Sequence, residues 1–114
     1  MKRTLSSWYA YYNRKFFANR LPPPVYIGFR RPTKGDCMVG ETSALLHGEL
    51  LVVGYVRIHP VLRRLDALVL STVLHEMIHI ELVRKRLPAR CKRNPYFTAE
   101  LHRLFEKGAY EGLL

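Results

Sequence analysis

The chain has 114 residues, 48% hydrophobic, 11% aromatic and 25% charged. That suits a single compact domain and excludes a disordered, fibrous or multi-domain protein. Its 19 Lys/Arg against nine Asp/Glu leave a net charge of +10, a balance that favours a polyanionic partner or simply a well-solvated surface. The charge is uneven: eight cations and Asp36 alone lie in residues 1–40, and eight cations with three glutamates in residues 84–114, so the middle is slightly acidic. Cys37 and Cys91 are the two cysteines, a usage expected of a reducing compartment, cytoplasmic with the nucleoid or nucleus as variants. The first residues lack the apolar stretch of a signal sequence, and nothing reaches membrane-spanning length.

In chain order, Leu5, Trp8, Tyr9, Tyr12 and Phe16 recur at helical intervals, which predicts an amphipathic helix over 5–18 ended by Leu21–Pro24. Val25–Phe29 reads as a short strand. Met38–Leu46 and Glu49–His59 read as two more, joined near His47-Gly48, with Gly54 as a bulge. Pro60 ends the last strand and suits a first helical turn. Residues 66–87 are apolar nearly all round until Glu81, as in a helix buried on most sides. Pro88 closes that helix, residues 89–94 form a basic connector, and Pro95 opens a final helix to about Ala109. The expected class is α+β: an N-terminal helix, a three-stranded, mostly antiparallel sheet, a buried helix and a C-terminal helix in one domain over 1–114.

The buried helix carries the chemistry. His75-Glu76-Met77-Ile78-His79 is an H-E-x-x-H motif, and residues four apart project about 40° from each other, one turn above the other. Two neutral imidazoles so placed can reach one zinc ion, with a third protein ligand and a water completing the tetrahedron. Glu76 then serves as general base toward that water and passes the proton to a leaving amine. Histidines bonded to the backbone inside a core are the plainer reading. Two histidines and a glutamate in an apolar helix are costly to bury unpartnered, however, and a metal removes that cost.

Three stretches, "YYNRKFFANRLPPPVYIGF", "IHPVLRRLDALVLSTVLHEMIH" and "RNPYFTAELHRL", resemble the SprT-like (Spartan-type) zinc metallopeptidase domain and the related minigluzincins. The similarity runs over most of residues 8–105. The resemblance implies a minimal gluzincin-like fold whose edge strand lines a substrate cleft, with one zinc ion on the central helix. It also implies peptide-bond hydrolysis, in some members of proteins on DNA. SprT-like domains draw their third ligand from a His-Gly-x-x-Phe segment, and aligned on Phe97 that histidine falls on Arg93, whose guanidinium stays cationic.

Another third ligand is therefore required. Glu100 leads, because it follows His79 by about the spacing of thermolysin-type gluzincins and borders the apolar face of Phe97, Leu101, Leu104 and Phe105. Cys91 in the connector and His102, pointing away from that face, are the alternatives. His47 and His59 have no assigned role, unless one stabilises a reaction intermediate. The expected enzyme is a monomeric zinc endopeptidase with His75, His79 and Glu100 as ligands, Glu76 as base, and the strand Glu49–His59 pairing with extended substrate. Arg84, Lys85, Arg86, Arg90, Lys92 and Arg93 form a tentative DNA-contacting tract beside the cleft. Two rivals are a nucleic-acid-binding module with a structural or inactive zinc site, and a latent zymogen whose terminus or Cys37 blocks the cleft.

Overall fold

The structure, a computed structural model, describes residues 3–33 and 39–113. Cys37 and Met38, invoked above as a cleft block and a strand start, lie outside the described residues. Helix α1 (Leu5–Phe16) starts where the Thr4 hydroxyl accepts the Ser7 N–H, and it buries Leu5, Tyr9, Tyr12 and Phe16. It ends before the predicted prolines, because Ala18 and Asn19 take left-handed backbone conformations (φ 52° and 57°). Asn13 then clamps the returning chain, donating to the Leu21 carbonyl and accepting the Leu21 N–H. Left-handed residues and a buried amide stop the helix here.

Strands β1 (Tyr26–Phe29), β2 (Gly40–His47) and β3 (Leu50–Ile58) form one mixed sheet in the order β1-β3-β2. β2 and β3 are antiparallel and β1 runs parallel to β3. Gly48, at φ 62°, opens the two-residue turn between β2 and β3, a position that favours glycine. The expected bulge is present: Ser43 faces Tyr55 and Ala44 faces Val53, leaving Gly54 unpaired between them. One expectation is corrected. β3 lies in the middle of the sheet, paired on both sides, so the edge strands are β1 and β2 and not the strand Glu49–His59.

A single turn of 3-10 helix, Pro60–Leu62, leads into α2 (Asp66–Arg84), shorter than the apolar run suggested because Arg86 adopts a left-handed φ of 59°. α2 packs across the sheet and buries Val69, Val73, Leu74, Met77, Ile78 and Ile80, each with no exposed surface. Filling each of those side-chain sites contributes about 1.5–3 kcal/mol of transfer free energy. α3 (Pro95–Glu106) closes over α2, capped at its start by the Asn94 side chain. The result is an α+β domain with α2 sandwiched between sheet and helices.

Candidate metal centre

Helical spacing brings the two histidines of α2 together. Their ring centroids are 4.9 Å apart and their Nε2 atoms face each other at 3.2 Å. Both rings pack on Phe97 of α3, at centroid distances of 4.8 and 5.1 Å. His79 uses its other nitrogen, Nδ1, to contact the backbone carbonyl of Ala89 in the connector. A carbonyl only accepts, so Nδ1 carries the proton and Nε2 keeps its lone pair, the tautomer a metal ligand requires.

The same connector brings Cys91 to the pair. The ligand atoms of His75, His79 and Cys91 all lie within 4.8 Å of one another, which makes them the group of metal-ligating side chains that the fold assembles among the described residues. Tetrahedral zinc with ordinary Zn–N lengths sets two imidazole nitrogens about 3.3 Å apart. The observed 3.2 Å between the Nε2 atoms fits that geometry. Burial, and then the neighbouring His79, holds His75 down at a pKa of about 4, and burial lowers His79 against the opposing Ala89 contact. Both imidazoles are thus neutral donors at physiological pH.

Glu76 lies between the histidines on the same helix, 2% exposed. The Thr42 hydroxyl of β2 donates to its Oε1 at 2.6 Å, while Oε2 is buried without a hydrogen-bond partner among the described residues. Burial raises its pKa to about 7, with the Thr42 bond acting in the opposite direction and Glu41 adding to the rise. An acid that exchanges its proton near neutrality has the property asked of a general base.

Glu100 occupies a different place. It is buried on α3, but its carboxylate receives Arg103 at 3.0–3.2 Å and Lys85 at 3.4 Å. Burial alone would raise its pKa; Arg103 and Lys85 outweigh that and hold it below the usual range. Arg103 also donates to the Phe16 carbonyl, so Glu100 serves to lock α3 onto α1 and α2. His102 is exposed, as its helical angle implied, and His47 is exposed at the hairpin end. His59 accepts the Val61 N–H and caps the short 3-10 turn.

The basic tract divides in two. Arg84 and Lys85 pair with the buried Glu81, Lys85 also reaches Glu100, and Arg86 donates to the Gly48 carbonyl. Arg90, Lys92 and Arg93 are exposed on the connector, Arg93 with a left-handed φ of 49°. A cleft of about 500 Å³ runs between the β2 edge and this connector, past Thr42, Glu76, His79 and Arg90. A second, more apolar cavity of about 410 Å³ lies on the other side of Glu76, between His75, Val39, Leu68, Leu101 and Tyr110.

Sequence reasoning passed over Thr42, Gly40 and Asn94. The first two sit in a strand whose contacts on α2, Thr72 and Glu76, lie more than 30 residues away, and no spacing rule points to them. Asn94 was legible as an N-cap before Pro95. That its amide also donates to the carbonyls of Pro88 and Arg90, at 2.7 Å each, was not. Comparison with family models, curated proteins and solved structures found no match to this chain.

Proposed function

We propose that this protein is a zinc-dependent endopeptidase of minimal gluzincin-like architecture, in which His75, His79 and Cys91 hold the ion and Glu76 is the general base. The observation that carries the reading is the convergence of three ligand atoms within 4.8 Å, next in sequence to a buried carboxylate with one oxygen unpartnered among the described residues. Cys91 takes the role that the sequence suggested for Glu100, because the Glu100 carboxylate is occupied by Lys85, just past α2, and Arg103 of α3. The resemblance to SprT-like domains supports the reaction class, and the retained glutamate argues against a merely structural ion, which needs no base.

The chemistry that bound zinc supplies is Lewis-acid polarisation of a carbonyl and acidification of water. The residues of the chain do the rest. β2 is an edge strand among the described residues, and an extended peptide can pair along such an edge. Glu76 Oε2 accepts a proton from the attacking water and returns it to the departing amine nitrogen. Ala89 holds His79 in its ligating tautomer. Arg90, which lines the cleft, and the exposed Lys92 and Arg93 beside it in sequence suit substrates associated with a polyanion such as DNA.

Cobalt substitution tests the ligand set. The parent protein and Glu100→Gln should bind one cobalt ion with a thiolate-to-metal absorption band in the near ultraviolet, and Cys91→Ser should lack that band. Absence of the band from the parent protein, or its loss in Glu100→Gln alone, would overturn the assignment of Cys91. Failure of the zinc-loaded protein to cleave casein, with metal present at one equivalent, would remove the peptidase reading and leave the metal site.

A further inference from the structure

Outside the candidate metal ligands, strand β2 faces Glu76. Side chains two apart on a strand share a face, and on β2 residues 40 and 42 both meet α2 at this glutamate. The Thr42 hydroxyl donates to Oε1 at 2.6 Å, across 34 residues of sequence. Gly40 comes close to the other oxygen: a Cβ at that position would stand 2.8 Å from Glu76 Oε2 and 2.7 Å from Thr72 Cγ2. Its backbone has no positive φ that calls for glycine. The requirement is space, since real Cβ atoms do not approach so closely.

We propose that Gly40 and Thr42 are positioning residues for the base: Thr42 ties down one carboxylate oxygen and Gly40 keeps the other clear. The terminal torsion of a glutamate is broad and roughly two-fold, so a carboxylate gripped at neither oxygen samples many directions. Anchoring Oε1 sets the direction of Oε2, and the empty volume beside Gly40 leaves Oε2 without a competing contact. Oε2 is a buried polar atom with no partner among the described residues. Such an atom is costly unless something else uses it, and the proton of an attacking water is that use. This inference rests on the peptidase reading for its kinetics, but not for its geometry.

The test uses Thr42→Val, nearly the same shape without the hydroxyl, with Thr42→Ser as the conservative control and Gly40→Ala as the second arm. In zinc-loaded protein, Thr42→Val should lower kcat by about 10- to 100-fold, the range for a misplaced catalytic group, with KM within about two-fold and zinc content unchanged. Thr42→Ser should restore most of kcat, and Gly40→Ala should lower kcat in the same manner. A kcat within two-fold of the parent in Thr42→Val, or a loss that Thr42→Ser does not repair, would overturn the proposal. A crystal structure of metal-free Thr42→Val decides the geometry separately: a Glu76 carboxylate unmoved from its parent position sinks the positioning role whether or not the parent cleaves peptides. An inactive, zinc-loaded parent with a displaced carboxylate in the variant would count against the peptidase reading alone.

Discussion

His79 Nδ1 is bonded to the backbone carbonyl of Ala89, two residues before Cys91. One imidazole is thereby oriented by the segment that delivers the third candidate ligand. Asn94 holds that segment from the other side, donating to the carbonyls of Pro88 and Arg90 on either side of Ala89. The proposed metal centre would thus depend on the connector being held in place, although the connector has no regular secondary structure.

Asn94→Ser keeps an oxygen to cap α3 and loses the two amide donors to the connector. Zinc affinity should fall by roughly 10- to 100-fold, as for other supporting contacts around metal ligands, while the helical circular dichroism stays unchanged. Competition with a chelator measures the first. Unchanged affinity would mean that the connector needs no such bracing.

Glu76→Gln should retain one equivalent of zinc and lose about 10²- to 10⁴-fold in kcat, because the amide fills the same space without accepting the proton of water. Thr42 can still donate to the Gln oxygen, so the local packing survives. Casein cleavage at the parent rate by purified Glu76→Gln would remove the glutamate from the mechanism.

Glu100→Gln should destabilise the fold by about 1 kcal/mol at pH 7, a charged hydrogen-bond network discounted for the partial exposure of Arg103. The pH dependence has a definite sign. The Glu100 pKa is depressed in the folded state, so its stabilisation is present above the unfolded value near 4.5 and is lost as pH falls through the folded value. The stability gap between parent and variant, measured by urea unfolding, should therefore narrow and close as pH falls below that unfolded value. Zinc content should not change, which separates this role from ligation.

Replacing Arg90, Lys92 and Arg93 together by Ala should weaken binding of DNA about equally on all sequences. It should also flatten the dependence on salt, by about 0.7–0.9 in log–log slope for each phosphate contact removed. Arg84, Lys85 and Arg86 are already engaged within the fold, so their removal should cost stability more than affinity. No DNA binding by the parent protein at low salt would reduce the surplus charge to a solvated surface.

What the residue order determined by itself was the local content: an apolar helix with His75, Glu76 and His79 on one side, strands with a bulge at Gly54, and a final helix opened by Pro95. Each rests on interactions between residues a few positions apart, which spacing exposes directly. The choice between Glu100 and Cys91 was not of that kind. On a helical wheel Glu100 borders the buried face and appeals as a ligand, but the wheel carries no information about Arg103 and Lys85, and those two cations capture the carboxylate. Cys91, an alternative already present in the sequence, comes within reach of the histidines because Asn94 and Ala89 hold an irregular connector against His79. The order β1-β3-β2 likewise moved the sheet edges from the third strand to the first and second, since strand neighbours are set by long-range pairing and not by sequence adjacency. The same pairing sets Thr42 and Gly40 against Glu76, a contact across more than 30 residues that packing between sheet and helix alone decides.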